Sequence, residues 1–239
     1  MLIGGLQKTS MLDYPEKIAA IVFTQGCNFR CGYCHNPELL DIKDKKDIKD
    51  INVHAPAQIS VSAFFDFLKT RQGKLDGIVI TGGEPCLQKD LTDFIIEIKK
   101  LGFLVKLDSN GCFPEKIEEL LSKKLIDYIA MDIKAPLEKY HKITGTIVKA
   151  ENILKSINLI MQSKIGYEFR TTVIKSQLSF EDFDKIGDLI NGADKYYLQK
   201  FVPSKIYNQA LMNETSYSND EFKEIIKKLK TKIKLVELR

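Results

Sequence analysis

Three of the chain's five cysteines fall within eight residues, as Cys27, Cys31 and Cys34 in the run CNFRCGYC. Three thiolates on one short loop can hold three irons of a [4Fe–4S] cube and leave the fourth iron open to a small molecule, an arrangement for reaction rather than electron storage. Zinc competes for the same donors. A structural zinc site closes with four ligands, however, and the only nearby fourth candidate, His35, directly follows Cys34 and is badly placed to join the same tetrahedron. The remaining reading is three small buried residues without metal, against which stands the clustering of a scarce residue type.

Other residues with chemistry to offer come in short groups. Gly82-Gly83-Glu84-Pro85 gives two positions where backbone can approach a ligand with no Cβ in the way, then a carboxylate suited to an ammonium group. His35 and Asn36, directly after the last cysteine, are placed to hydrogen-bond to metal-bound sulfur or to a nucleoside. Arg170 and Lys134 are cations inside or at the end of strands expected to be buried, so each needs a carboxylate. A ligand's carboxylate would serve, as would Asp108 or Asp132, and an internal ion pair is the competing role. Gln199 and Phe201 are candidates to border a nucleoside, with a core role equally open. Cys86 and Cys112 have no companions for a second cluster and read as small packing residues.

These groups must be positioned by regular elements. Apolar runs expected to be strands cover residues 18–23, 77–81, 103–108, 128–133, 166–173 and 196–201. Amphipathic helices are expected near 61–70, 89–101, 114–123, 150–163, 180–190 and 220–230, with Ser60 as a cap and Pro114 as a first-turn proline. Strand alternating with helix implies right-handed crossovers and a parallel sheet. Six such units point to an α/β fold of the open or partial (β/α)6 barrel type, with residues 2–7 and 234–238 as added edge strands. Ligands of parallel α/β folds gather at the carboxyl ends of the strands. The cysteine loop, GGEP, Asp108-Ser109-Asn110-Gly111 and Asp132-Ile133-Lys134 each follow or close a strand, while Arg170 and Gln199 lie in the fifth and sixth. One barrel mouth is therefore expected to collect them all.

The 239 residues are expected to form a single domain, 1–239. A formal charge of +4 demands no nucleic acid or anionic membrane as partner. The lysines of the C-terminal stretch interleave with Ile and Leu and read as a solvated face of packed elements. No apolar run is long enough to span a membrane, and the first residues lack the pattern of a leader, so a cytoplasmic location is expected. Five cysteines, an odd number with three crowded together, fit a reducing compartment rather than a disulfide framework. Residues 39–59 carry a mixed-charge stretch too long for an ordinary connection, either a functional cover or a solvated excursion.

CNFRCGYC, with the aromatic Tyr33 before its last cysteine, followed one strand later by TGGEP, resembles the radical S-adenosylmethionine (SAM) superfamily. The resemblance implies a radical SAM barrel and a [4Fe–4S] cluster on Cys27, Cys31 and Cys34, its open iron chelated by the methionyl amine and carboxylate. One electron would then cleave the sulfonium to a 5′-deoxyadenosyl radical. It further implies that Tyr33, Asn36, Gly82, Gly83, Glu84, Asp108, Ser109, Asn110, Lys134, Arg170 and Gln199 border the cofactor, Glu84 taking the amine. Activating enzymes of the superfamily place a cation at positions matching Asp108 and Asp132.

The segment LQKTSMLDYPEKIAAIVFTQGCNFRCGYCHNPEL, with TGGEPCLQ, LDSNG, MDIKAP and FRTTV after it, is similar to the activating proteins of anaerobic ribonucleoside-triphosphate reductase. That likeness implies hydrogen abstraction from one glycine of a glycyl-radical enzyme, with a flavodoxin or ferredoxin as electron donor. Three alternatives stay open: pyruvate formate-lyase activating enzyme, which shares CxYCHNP; a small-molecule enzyme such as 7-carboxy-7-deazaguanine synthase, whose cysteine loop is typically modified; and a zinc-stabilised binding module without catalysis.

Overall fold

Apolar runs flanked by turn residues give the inner strands of this protein, and residues 19–22, 77–80 and 128–131 are buried without a break, as in parallel strands covered on both faces. The computed structural model describes residues 1–41 and 59–239; most of the expected 39–59 stretch, residues 42–58, lies outside the described residues. The strands are β1 (Ile3–Ser10), β2 (Ala19–Thr24), β3 (Gly77–Gly82), β4 (Leu104–Ser109), β5 (Tyr128–Asp132), β6 (Gly166–Val173), β7 (Lys195–Lys200) and β8 (Leu235–Leu238). Among the described residues they form one eight-stranded sheet ordered as in the chain. β1 runs antiparallel to β2, whereas β2, β3 and β4 are mutually parallel, as are β6, β7 and β8.

The helices are α1 (Val61–Lys69), α2 (Leu91–Lys100), α3 (Pro114–Ser122), α4 (Tyr140–Thr144), α5 (Ala150–Gln162), α6 (Phe180–Leu189) and α7 (Asn219–Leu229). Six β/α repeats between two edge strands result, the expected α/β, (β/α)6 layout. None of the described helices is long and apolar enough to cross a membrane. Ser60 caps α1, its Oγ accepting from the Ala63 N–H at 3.1 Å. Ser179 and Ser218 close reciprocal capping boxes on α6 and α7. The short α4 has too few residues to show a helical period in the sequence; it stops at Gly145, whose φ of +68° suits a left-handed cap.

Two compact units partition the chain, the first holding residues 1–28, 38–109 and 115–129, the second 29–37, 110–114 and 130–239. In the first, Ile78 and Ile80 of β3 and Leu91, Ile95 and Ile98 of α2 are buried, with Phe64 stacked on Phe94 at 5.1 Å between ring centroids. Buried Tyr14, Ala19, Ile21, Val79 and Tyr128 form a cluster of their own in the same unit. In the second, Phe169 of β6 is buried along with Ile153, Ile157 and Ile160 of α5, Phe183 of α6 and Phe222 of α7. There the Tyr196 hydroxyl donates to Thr171 Oγ1 at 2.7 Å, and Thr171 in turn donates to the Ile133 carbonyl at 2.6 Å, so the buried hydroxyls are satisfied in a chain.

Candidate functional site

In the first unit the parallel β2, β3 and β4 present their carboxyl ends along one sheet edge, and the predicted residues Cys27, Gly82, Gly83, Glu84, Asp108 and Ser109 lie at or just past those ends. Gly83 donates its N–H to the Thr24 carbonyl at 2.9 Å and Glu84 donates to the Gly26 carbonyl at 2.8 Å, so the GGE segment is bonded along the approach to Cys27. Contact there is so close that a Cβ on Gly83 would stand 2.1 Å from the Gly26 carbonyl oxygen. Gly82 takes a φ of +118°, open to glycine and strained for other residues.

Glu84 is only 1% exposed. Its Oε1 accepts from the Ser109 hydroxyl at 2.9 Å and from the Cys86 N–H at 3.0 Å, the latter opening the 3-10 turn Pro85–Leu87. These bonds aim a buried carboxylate from two neighbouring strand ends. Cys86 packs beside it, 3.7 Å from the Ser109 hydroxyl, and burial together with the Glu84 charge pushes its thiol well up, so it stays protonated. Packing was the expected role of Cys86. Asp108 pairs with buried Lys106 at 2.6 Å, a partner the sequence reading missed. The signal was available: residues two apart on a strand share a face.

The second unit holds Cys31 and Cys34, joined by a turn in which the Cys34 N–H donates to the Cys31 carbonyl at 3.0 Å. Tyr33 between them is buried, and its hydroxyl makes no hydrogen bond with the described residues. Lys134 brings its ammonium 5.8 Å from the Tyr33 ring centroid. The carboxylate that Arg170 and Lys134 were expected to need is Asp132, whose Oδ1 accepts from Arg170 Nε and whose Oδ2 accepts from Lys134 Nζ, each at 2.9 Å. Burial alone would raise the Asp132 carboxyl, but Arg170 and Lys134 outweigh it and hold the group well below its ordinary value. Burial likewise opposes the Lys134 charge and is outweighed, first by Asp132, so the ammonium persists. Burial pushes the Cys31 thiol up, partly offset by Lys134.

A segment with no regular sequence pattern backs the cysteine turn. After β7 the chain returns so that the Tyr207 N–H donates to the Cys34 carbonyl at 3.0 Å and the Asn208 N–H to the Gly32 carbonyl at 2.8 Å. His35 faces Phe201 at 6.1 Å between rings, with Nδ1 3.5 Å from the Ser204 hydroxyl. Asn110 is buried and turns its Oδ1 onto the Cys112 N–H at 3.0 Å. Gln199 lies opposite Thr172 in the β6–β7 register, and Asn36 is half-buried two residues after Cys34.

None of the five cysteines forms a disulfide. Cys27 belongs to the first unit and the other two of the triplet to the second, and among the described residues no three His, Cys, Asp or Glu side chains stand gathered as a metal site. The donors nonetheless fit an iron–sulfur group in kind, being three thiols carried by one turn-forming loop. Asp108 and Asp132, the candidate pair for a cation, are engaged by Lys106 and by Lys134 and Arg170 respectively.

Comparison with known proteins adds to this geometry. The profile of the Radical SAM superfamily matches residues 21–190. A Methanocaldococcus jannaschii protein named as a glycyl-radical enzyme activating enzyme is 36% identical, over 100% of this chain and 95% of its own length. A Staphylococcus aureus pyruvate formate-lyase-activating enzyme is 29% identical, over 85% of this chain and 82% of its own. Among solved structures, SuiB of Streptococcus suis superposes with a TM-score of 0.66 at 14% identity, covering 92% of this chain and 48% of the SuiB chain, a likeness of fold.

Proposed function

Because the chain belongs to the Radical SAM superfamily, and within it to the enzymes that activate glycyl-radical enzymes, we propose that it cleaves SAM reductively to make a glycyl radical on a partner, anaerobic ribonucleoside-triphosphate reductase. One observation carries the reading. Beside the Cys31–Cys34 turn, the Asp132 carboxylate gathers both Lys134 and Arg170, each at 2.9 Å, into one largely buried group. Cations held in place this way suit an anionic group arriving next to thiol-held metal, as the methionyl carboxylate would. Glu84, buried and aimed by Ser109, suits the methionyl ammonium in the same way.

Cys27, Cys31 and Cys34 would hold a [4Fe–4S] cluster, which when bound would supply the electron for reductive cleavage of SAM to a 5′-deoxyadenosyl radical. The chain's own residues bind and orient. Gly82 and Gly83 let backbone meet the methionyl end, and Tyr33, Asn36, Asp108, Ser109, Asn110 and Gln199 border the cofactor in this reading, Tyr33 with a buried hydroxyl that makes no hydrogen bond to the described residues. A flavodoxin or ferredoxin is the electron donor in this reading.

The likeness of the N-terminal segment to reductase activators favours the reductase as partner, while the Staphylococcus aureus relative supports pyruvate formate-lyase as a second reading. The two separate in one experiment. Anaerobically reconstituted protein is incubated with SAM, a reductant and each candidate partner in turn, and the electron paramagnetic resonance of the partner is recorded. The expected result is a glycine-centred doublet on the reductase. A doublet on the lyase alone transfers the assignment to the second reading, and SAM cleavage with no radical on either protein overturns both.

A further inference from the structure

The motif TGGEPCLQ ends on Gln88, whose side chain is buried within the first unit. Its Nε2 donates to the Gln25 carbonyl at 2.7 Å, two residues before Cys27, and its Oε1 accepts from the Leu2 N–H at 3.0 Å. Gln25 closes the ring by donating its own N–H to the Leu2 carbonyl at 3.0 Å. A carbonyl needs a donor and an N–H needs an acceptor, so both ends of the amide are in use and its orientation is fixed. Gln88 also ends the 3-10 turn that Glu84 caps, its N–H donating to the Pro85 carbonyl at 3.0 Å.

Three successive carbonyls on the way to Cys27 are thereby tied to one segment. Thr24 accepts from the Gly83 N–H at 2.9 Å, Gln25 from the Gln88 side chain, and Gly26 from the Glu84 N–H at 2.8 Å. The outer two bonds join main chain to main chain, whereas the middle one is made by a side chain and is open to substitution. We propose that Gln88 is a positioning residue for SAM: by holding the Gln25 carbonyl it keeps Cys27 in register with the Glu84 carboxylate. The inference rests on the radical SAM reading of the function, in which Cys27 holds an iron and Glu84 meets the methionyl ammonium. One ligand is then gripped from both places at once, and a shift of about 1 Å between the grips is enough to weaken it markedly.

The test uses the full chain with Gln88→Met, which keeps the length and loses the amide, with Gln88→Glu, and with Lys89→Met as an exposed neighbouring control. In the metal-free protein, hydrogen exchange at the Gly26, Cys27 and Glu84 amides is expected to quicken about tenfold in Gln88→Met and to match the wild type in Lys89→Met. After reconstitution, the Gln88→Met KM for SAM in dithionite-driven 5′-deoxyadenosine formation is expected to rise about tenfold, with kcat within about twofold of the wild type. The positioning role requires both changes; either without the other, or neither, overturns it. Gln88→Glu keeps the acceptor for Leu2 but donates to Gln25 only while its carboxyl holds a proton. Its KM is therefore expected to climb from the wild-type level towards that of Gln88→Met as the pH rises from about 6 to about 9. A Gln88→Glu KM that follows the wild type across that range overturns the role even where Gln88→Met is too unstable to assay. Failure of the wild type to cleave SAM with dithionite would overturn the radical reading instead, while the exchange comparison on metal-free protein stands, so the two failures are told apart.

Discussion

Gly83 and Gly32 make a pair of glycines whose replacement should have unequal consequences. A methyl group on Gly83 would collide with the Gly26 carbonyl oxygen at 2.1 Å and crowd the Leu39 carbonyl at 3.2 Å, both backbone. On Gly32 it would meet the tip of Leu211 at 2.9 Å, which can swing aside. Gly83→Ala is therefore expected to destabilise by about 1–3 kcal/mol and Gly32→Ala by less than about 1 kcal/mol, read from urea unfolding midpoints. Asp132 supports a prediction in pH. Its folded carboxyl lies below the unfolded value, so the stabilisation is fully present above about pH 4 and is lost as the pH falls further. Asp132→Asn removes the carboxylate that Lys134 and Arg170 share, at a cost of about 3 kcal/mol at neutral pH. Unfolding curves from pH 7 down to 2 should show the mutant weaker at the top and with a shallower acid limb. At this scale the sequence allowed the demand to be seen, two buried cations wanting an anion, but not which aspartate would answer it, because that depends on how strands are spaced.

The elements were legible where local chemistry is strong. Alternating apolar runs and helical periods placed the six β/α repeats, and the antiparallel β1 and terminal β8 sit where edge strands were expected. Ser60 was readable as a cap, and it acts as one. Ser60→Ala should cost about 1 kcal/mol, visible as a lowered thermal midpoint, while substitution of the exposed Lys164 should leave the midpoint in place. What stayed hidden is structure held by distant hydrogen bonds. The backing of the cysteine turn by Tyr207 and Asn208 comes from an irregular segment with a 3-10 turn at Gln209–Asn213, and neither has a period to detect. Five-residue α4 is hidden for the same reason.

For the whole molecule, strand-end placement is what turned separate motifs into one functional reading. Thiols follow β2, a buried glutamate follows β3, a serine closes β4, and Asp132, Lys134 and Arg170 lie at or near β5 and β6; the superfamily match spans all of them. Partner choice was not legible, because it resides in surface contacts rather than in motifs. The central claim is that Cys27, Cys31 and Cys34 hold a cluster that drives SAM cleavage. It is tested most directly by anaerobic reconstitution of the wild type and of Cys31→Ala, followed by iron, acid-labile sulfide and 5′-deoxyadenosine assays. The account predicts a brown wild-type protein with iron and sulfide in equal amounts that forms 5′-deoxyadenosine from SAM, and a mutant that forms none. A colourless protein holding stoichiometric zinc, with SAM left intact, would contradict it.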